Sequence, residues 1–219
     1  MTNTASTPSV RDEQFMRRAL GTALQARLIS RPNPWVGAVV VAADGSTYEG
    51  CTSAVGGPHA EIHALRRAGE AARASTLYTT LEPCSHTGRT GPCTQAIIDA
   101  GVQRVVVGIV DPDPKVAGTG LDALRAAGIE VELGVLAGQV HSQLLPYIHH
   151  RTTGMPFVVL KMASTIDGRI AAADGSSKWI TGETARKRVH QLRAESDAIV
   201  VGSGTVRTDN PSLTVRDVH

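Results

Sequence analysis

The 219-residue chain is 42% apolar and 19% charged with 22 glycines, an ordinary globular composition with enough apolar residue for a sizeable core. A net charge of +2 and only 3% aromatic residues give no platform for nucleic acid or a membrane surface, so neither is an expected partner. Three cysteines do not make a disulfide framework, the polar start Met1 to Val10 has no targeting pattern, and the longest apolar run, Trp35 to Ala43, cannot span a bilayer; a reducing cytoplasm is the expected setting.

Apolar residues on helical spacing (Phe15, Ala19, Leu20, Ala23, Leu24) predict a helix over about 10–28, stopped by Arg31-Pro32-Asn33-Pro34. Val36 to Ala43 reads as a buried strand, Asp44-Gly45 as a hairpin turn and Thr47 to Cys51 as the returning strand. Helices are expected at about 59–74, 94–100 and 121–127, alternating with strands at 76–81, 104–110 and 129–133. Such alternation argues an α/β sheet with helices on both faces. From Ala137 to Gly154 the pattern loosens and reads as a linker or connecting helix. A second α/β pattern follows: strand Phe157–Met162, helix Thr184–Arg193, strand Ala198–Val201.

Three residues offer a soft metal-ligand set: His59, Cys84 and Cys93. One imidazole and two thiols suit Zn²⁺, and three protein ligands leave a fourth position open, as catalytic zinc requires. His59 opens one helix and Cys93, after Pro92, opens another, where the helix N-terminus favours thiolate. Glu61, two residues past His59, is the candidate proton carrier, since the order H-x-E, then P-C, then C is that of the zinc nucleobase deaminases. Two other readings stand beside a specialised pyrimidine deaminase. One is a cytidine or tRNA-adenosine enzyme. The other is a non-enzymatic structural zinc module, which would want a fourth ligand such as Cys51 or His86. The eight residues between Cys84 and Cys93 exceed the common C-x-x-C spacing and include His86 and Arg89, a composition suited to a polar or phosphorylated substrate.

These motifs resemble the bifunctional riboflavin biosynthesis family RibD. The resemblance rests on Glu82-Pro83-Cys84-Ser85-His86-Thr87-Gly88-Arg89-Thr90 with Cys93, on Pro32-Asn33-Pro34-Trp35-Val36-Gly37-Ala38, and on Asp111-Pro112 with Val116-Ala117-Gly118-Thr119-Gly120. In the second unit it rests on Leu160-Lys161-Met162-Ala163-Ser164, Asp167-Gly168-Arg169, Trp179-Ile180-Thr181-Gly182 and Asp209-Asn210-Pro211-Ser212-Leu213-Thr214-Val215-Arg216. Thr52, Gly91 and Asp113 stand where the family usually has His, Pro and Asn.

The resemblance implies a three-layer, cytidine deaminase-like α/β domain over about 10–136, a linker over 137–154, and the opening part of a dihydrofolate reductase-like α/β domain over 155–219. Full-length members continue beyond that part, so the reductase half is expected to be incomplete here. The implied reactions are deamination of 2,5-diamino-6-(5-phosphoribosylamino)pyrimidin-4(3H)-one to the corresponding uracil, then NADPH-dependent reduction of its ribosyl group to ribityl. Asn33, His86 and Arg89 would then contact the deaminase substrate. Ala163, Trp179, Thr205 and Asp209 would lie near NADPH, and Ser177, Arg193, Leu213 and Arg216 near the reductase substrate. Zinc and NADPH are the implied cofactors, and self-association into a homo-oligomer is the family's habit.

Overall fold

A computed structural model describes residues 9–86, 91–114, 116–216 and 218 of the chain. It divides into two units, one running through Phe157 and the other starting at Val158.

The first unit is built on a five-stranded sheet of order β2-β1-β3-β4-β5, comprising β1 Gly37–Val41, β2 Thr47–Cys51, β3 Thr76–Leu81, β4 Arg104–Ile109 and β5 Glu130–Leu133. β1 runs antiparallel to both its neighbours, while β3, β4 and β5 are parallel, as crossover helices between them require. All five residues of β1 are buried, and so are five of the six in β3, as central strands covered on both faces should be; β1 is a continuous apolar run, while β3 also buries Thr79 and Thr80. The edge strand β5 is half-exposed.

Helix α1 (Val10–Ala23) starts where the Ser9 hydroxyl accepts the Asp12 N–H. It buries Met16, Ala19, Leu20 and Ala23, a stripe on helical spacing. The chain then tightens into a 3-10 turn over Leu24–Ala26, which is why the expected helix stops short of residue 28. α2 is Ala60–Ala68, α3 Cys93–Asp99, α4 Thr119–Ala126 and α5 Ala137–Thr153.

Glycines settle which face each helix covers. A Cβ on Gly37 would lie 2.0 Å from the Ala19 carbonyl oxygen of α1, and one on Gly50 would lie 2.2 Å from that of Ala60 in α2. Gly50 pairs with Ala38, the neighbour of Gly37, and successive residues point to opposite faces. α1 and α2 therefore pack on opposite faces, giving three layers. On β4, a Cβ on Gly108 would meet the Val140 side chain of α5, and register places Gly108 on the α1 side. α3 touches both α2 and α4. The segment 137–154, expected as a linker or connecting helix, is the body of α5; it buries Val140 and Leu144 in the first unit's core.

The second unit differs from expectation. It contains α6 (Glu183–Ala194), close to the expected helix, and α7 (Ser203–Asp209), which was not expected. The strands expected at Phe157–Met162 and Ala198–Val201 do not form among the described residues. Val158, Leu160 and Val200 are exposed, and no described residue of this unit is buried. A strand exists only as a rung of a ladder, and neither segment finds one here.

Candidate active site

The site gathers at one end of β3, where three elements begin or end. His59 caps α2 in extended conformation, and Glu61 lies in that helix's first turn. Cys84 follows β3 by three residues, and Cys93 is the first residue of α3, behind Pro92. The Cys93 N–H donates to the Cys84 sulfur at 3.4 Å, and the Thr94 N–H donates to the Cys84 carbonyl at 3.1 Å. The start of α3 therefore holds the Cys84 loop from below.

The three expected ligands come together. His59 Nδ1 lies 3.2 Å from Cys93 Sγ and 3.5 Å from Cys84 Sγ, and all three donor atoms fall within 4.8 Å of one another. Tetrahedral zinc with bonds of ~2.3 Å to sulfur and ~2.1 Å to nitrogen would space such donors roughly 3.5–3.8 Å apart. The residues present fit zinc in atom type and in spacing. Among the described residues Cys51 and His86 do not join the group, so the fourth ligand that a structural site would want is not supplied by either.

Glu61 is 3% exposed, and its Oε2 accepts from Cys93 Sγ at 3.7 Å. Burial pushes its carboxyl up to about 7, against the pull of His59 and with the Cys84 charge adding to the rise. A carboxyl that exchanges its proton near neutrality suits general acid–base work. Hydrogen bonding from Cys93 pulls the Cys84 thiol down despite burial, with His59 assisting, and the same bond with burial pushes the Cys93 thiol up. His59 is raised by its hydrogen bond to Cys84.

Other expected residues are placed less directly. Asn33 is half-buried, and both its backbone groups are tied to Ser30. Its segment reaches the loop that precedes His59 through Val36, which exchanges hydrogen bonds with Thr52. Thr52 is thereby a buried fastener of the two segments. His86 is exposed just beyond Cys84, and Arg89 lies outside the described residues.

In the second unit, Arg193 on α6 donates to the Thr214 carbonyl at 3.1 Å, and the Arg216 N–H donates to His190 Nδ1 at 3.1 Å. These bonds bring Arg193 beside the segment holding Leu213 and Arg216. Trp179 is exposed, with the Arg186 guanidinium 4.5 Å from its ring centroid. Ser177 is exposed and Ala163 half-exposed, and no hydrogen bond joins either to the Arg193 group among those described. Gly202-Ser203-Gly204-Thr205, which sequence alone reads as a weak dinucleotide loop, is the start of α7, and Thr205 and Asp209 lie on that helix.

Sequence reasoning missed Glu82, which is 4% exposed and receives four backbone N–H groups from residues 111–121. The available signal was a carboxylate set between a buried strand and a candidate donor cysteine. An open cavity of about 480 Å³ lies at the other end of β3, lined by residues such as Arg11, Asp12 and Arg104; none of the candidate site residues lines it.

Comparison with known proteins agrees with this geometry. Residues 9–109 match the family model of the cytidine and deoxycytidylate deaminase zinc-binding region, and residues 156–219 match that of the RibD C-terminal domain. The chain is 48% identical to riboflavin biosynthesis protein RibD of Escherichia coli over 94% of its length and 47% identical to that of Aquifex aeolicus over 94%. Acinetobacter baumannii RibD superposes with a TM-score of 0.86 at 45% identity, covering 95% of this chain and 59% of that one. A Thermotoga maritima structure described as a diaminohydroxyphosphoribosylaminopyrimidine deaminase/5-amino-6-(5-phosphoribosylamino)uracil reductase gives 0.87 at 45% identity, covering 94% and 59%. The chain spans 56% and 58% of the two curated relatives. With the zinc-type donor set in place and both family models matched in order, the chain belongs to the RibD family of riboflavin biosynthesis proteins.

Proposed function

We propose that the first unit is a zinc-dependent deaminase that converts 2,5-diamino-6-(5-phosphoribosylamino)pyrimidin-4(3H)-one to 5-amino-6-(5-phosphoribosylamino)uracil. The observation that carries this reading is the buried Glu61 carboxyl, whose Oε2 lies 3.7 Å from Cys93 Sγ, beside the grouped His59, Cys84 and Cys93 donors. Those three residues would hold zinc, whose Lewis acidity makes water nucleophilic near neutral pH. Glu61 carries two protons in turn, the first from the attacking water to a ring nitrogen and the second from the resulting hydroxyl to the departing amine, so that the C–N bond breaks, water enters and ammonia leaves. Burial of Glu61 keeps bulk water from competing for that proton. Asn33, His86 and Arg89 are the expected substrate contacts.

The second unit carries the matching residues of a reductase that uses NADPH on the ribosyl group of that product. Ala163, Trp179, Thr205 and Asp209 are proposed for NADPH and Ser177, Arg193, Leu213 and Arg216 for the substrate. A guanidinium such as Arg193 can grip a phosphate through two N–H donors. No helix of the described residues is long and apolar enough to cross a membrane. A cytoplasmic homo-oligomer acting on a small molecule, without nucleic acid, completes the reading.

The test is ammonia release from the diamino substrate by zinc-loaded chain. The expected result is one ammonia per uracil product formed. A zinc-loaded protein that yields none rules the deaminase out.

A further inference from the structure

Glu82 lies at the exit of β3 and is buried, and the four hydrogen bonds to its carboxylate come from residues 111–121 and not from the three donors. Its Oε1 accepts the N–H groups of Gly120 at 2.8 Å and Leu121 at 3.3 Å. Its Oε2 accepts those of Asp111 at 3.1 Å and Gly118 at 3.0 Å. A carboxylate offers about four acceptor sites, and here all are used by one segment of the chain. The residue before α4 is Gly118, in left-handed conformation at φ 82°, which has no side chain to cap the helix. Glu82 supplies that cap from a different element, with the charge sign that a helix start favours.

The consequence falls on Cys84. A Cβ on Gly120 would stand 2.0 Å from the Pro83 carbonyl oxygen, so α4 abuts the Pro83 peptide with no slack. On the far side of Cys84, the Ser85 and Thr119 hydroxyls share a hydrogen bond at 2.8 Å. Residues 82, 83 and 85 are thus fixed to the start of α4, and Cys84 has little freedom left between them. Its sulfur is thereby presented to His59 Nδ1 and the Cys93 N–H.

We infer that Glu82, through its four backbone hydrogen bonds, is a positioning residue that sets the Cys84 sulfur for metal binding. This inference rests on the zinc reading of the site and extends it to a residue that is no ligand. Gln at 82 would turn one acceptor into a donor facing two backbone N–H groups, releasing half of the link. Asp keeps the charge but is one methylene short.

The experiment compares the zinc- and cobalt-loaded full chain with Glu82→Gln, Glu82→Asp and a control, Asp12→Asn, destabilised at the other end of β3. Zinc release to a chromophoric chelator and the thiolate-to-cobalt absorption band are read well below each protein's Tm. Glu82→Gln is expected to release zinc about 10–100-fold faster and to shift the cobalt band. Glu82→Asp is expected to fall between it and wild type. Asp12→Asn is expected to keep the wild-type rate and band despite a lower Tm. Wild-type release and spectrum in Glu82→Gln would overturn the inference, as would equally fast release from Asp12→Asn. If Glu82→Gln does not fold, Glu82→Asp is judged by the same criteria; failure of both to fold makes the role one of stability alone and overturns it. A wild type that takes up neither metal removes the zinc reading itself. A wild type that binds zinc without deaminating removes only the enzyme.

Discussion

Arg104 grips both carboxylate oxygens of Asp12, at 2.7 and 3.2 Å, across 92 positions of sequence. Tyr78 donates to the same carboxylate at 2.8 Å, as does Ser9 at 2.8 Å. The first turn of α1 is thereby tied to β3 and β4. Burial alone would raise the Asp12 carboxyl, but the bonds from Arg104, Ser9 and Tyr78 outweigh it and hold the group at about 2. A carboxylate with a folded-state pKa below its unfolded value adds stability that is present above pH ~4 and lost as pH falls toward 2. Asp12→Asn should therefore cost ~2–3 kcal/mol at pH 7, with the gap from wild type closing between pH 4 and 2. Urea denaturation across that range checks it; a gap that stays constant with pH would remove Asp12 as the source.

Gly37 and Gly50 tell the same story without charge. Alanine at either position drives a methyl group into a helix backbone, 2.0 Å from the Ala19 carbonyl or 2.2 Å from that of Ala60. Each substitution should cost roughly 1–3 kcal/mol or more, because a backbone cannot move aside as a side chain can. Gly21→Ala, inside α1 and meeting nothing within 4 Å, serves as the comparison and should be stabilising by about 0.5–1 kcal/mol. Tm values of the three variants decide it, and equal Tm values would show that the sheet-to-helix spacing is adjustable.

Glu61→Gln keeps the size of the side chain and removes the proton exchange. Its kcat should fall by about 10²–10⁴, the usual contribution of a general acid–base group. Bound zinc, measured by metal analysis, should stay at the wild-type level, because Glu61 is not among the three grouped donors. Retained turnover would assign the proton carrier elsewhere.

Stripping the metal should loosen the site where it joins α2, the Cys84 loop and α3. Without a cation, the half-buried Cys84 thiol, the buried Cys93 thiol and the raised carboxyl of Glu61 face one another. Saturating zinc stabilises by mass action, about 4 kcal/mol at a thousand times Kd. Calorimetry before and after chelation, with readdition of zinc, measures the difference; a Tm that ignores the metal would place the donors outside the cooperative unit.

The first unit was largely legible because its signals are local. β2 and β3 run over the expected residues 47–51 and 76–81, since alternation and turn chemistry are short-range physics. The grouping of the three candidate donors was legible because His59, Cys84 and Cys93 are chemically unusual and each sits beside a marker residue, Glu61, Pro83 or Pro92. The strands expected at 157–162 and 198–201 do not form, because apolar β-branched runs describe a capacity to pair and not the pairing itself.

The sequence by itself determined which atoms are available: one imidazole, two thiols and a carboxylate, held at the starts of helices and the end of a strand. Only the tertiary structure decided how they are set. It brought residues 59, 84 and 93 within 4.8 Å, closed Asp12 onto Arg104, and gave the Glu82 carboxylate four N–H partners from residues 111–121. The reason is physical. Residue type and near-neighbour spacing are written along the chain, whereas burial and hydrogen-bond partners depend on which distant segments the sheet brings side by side.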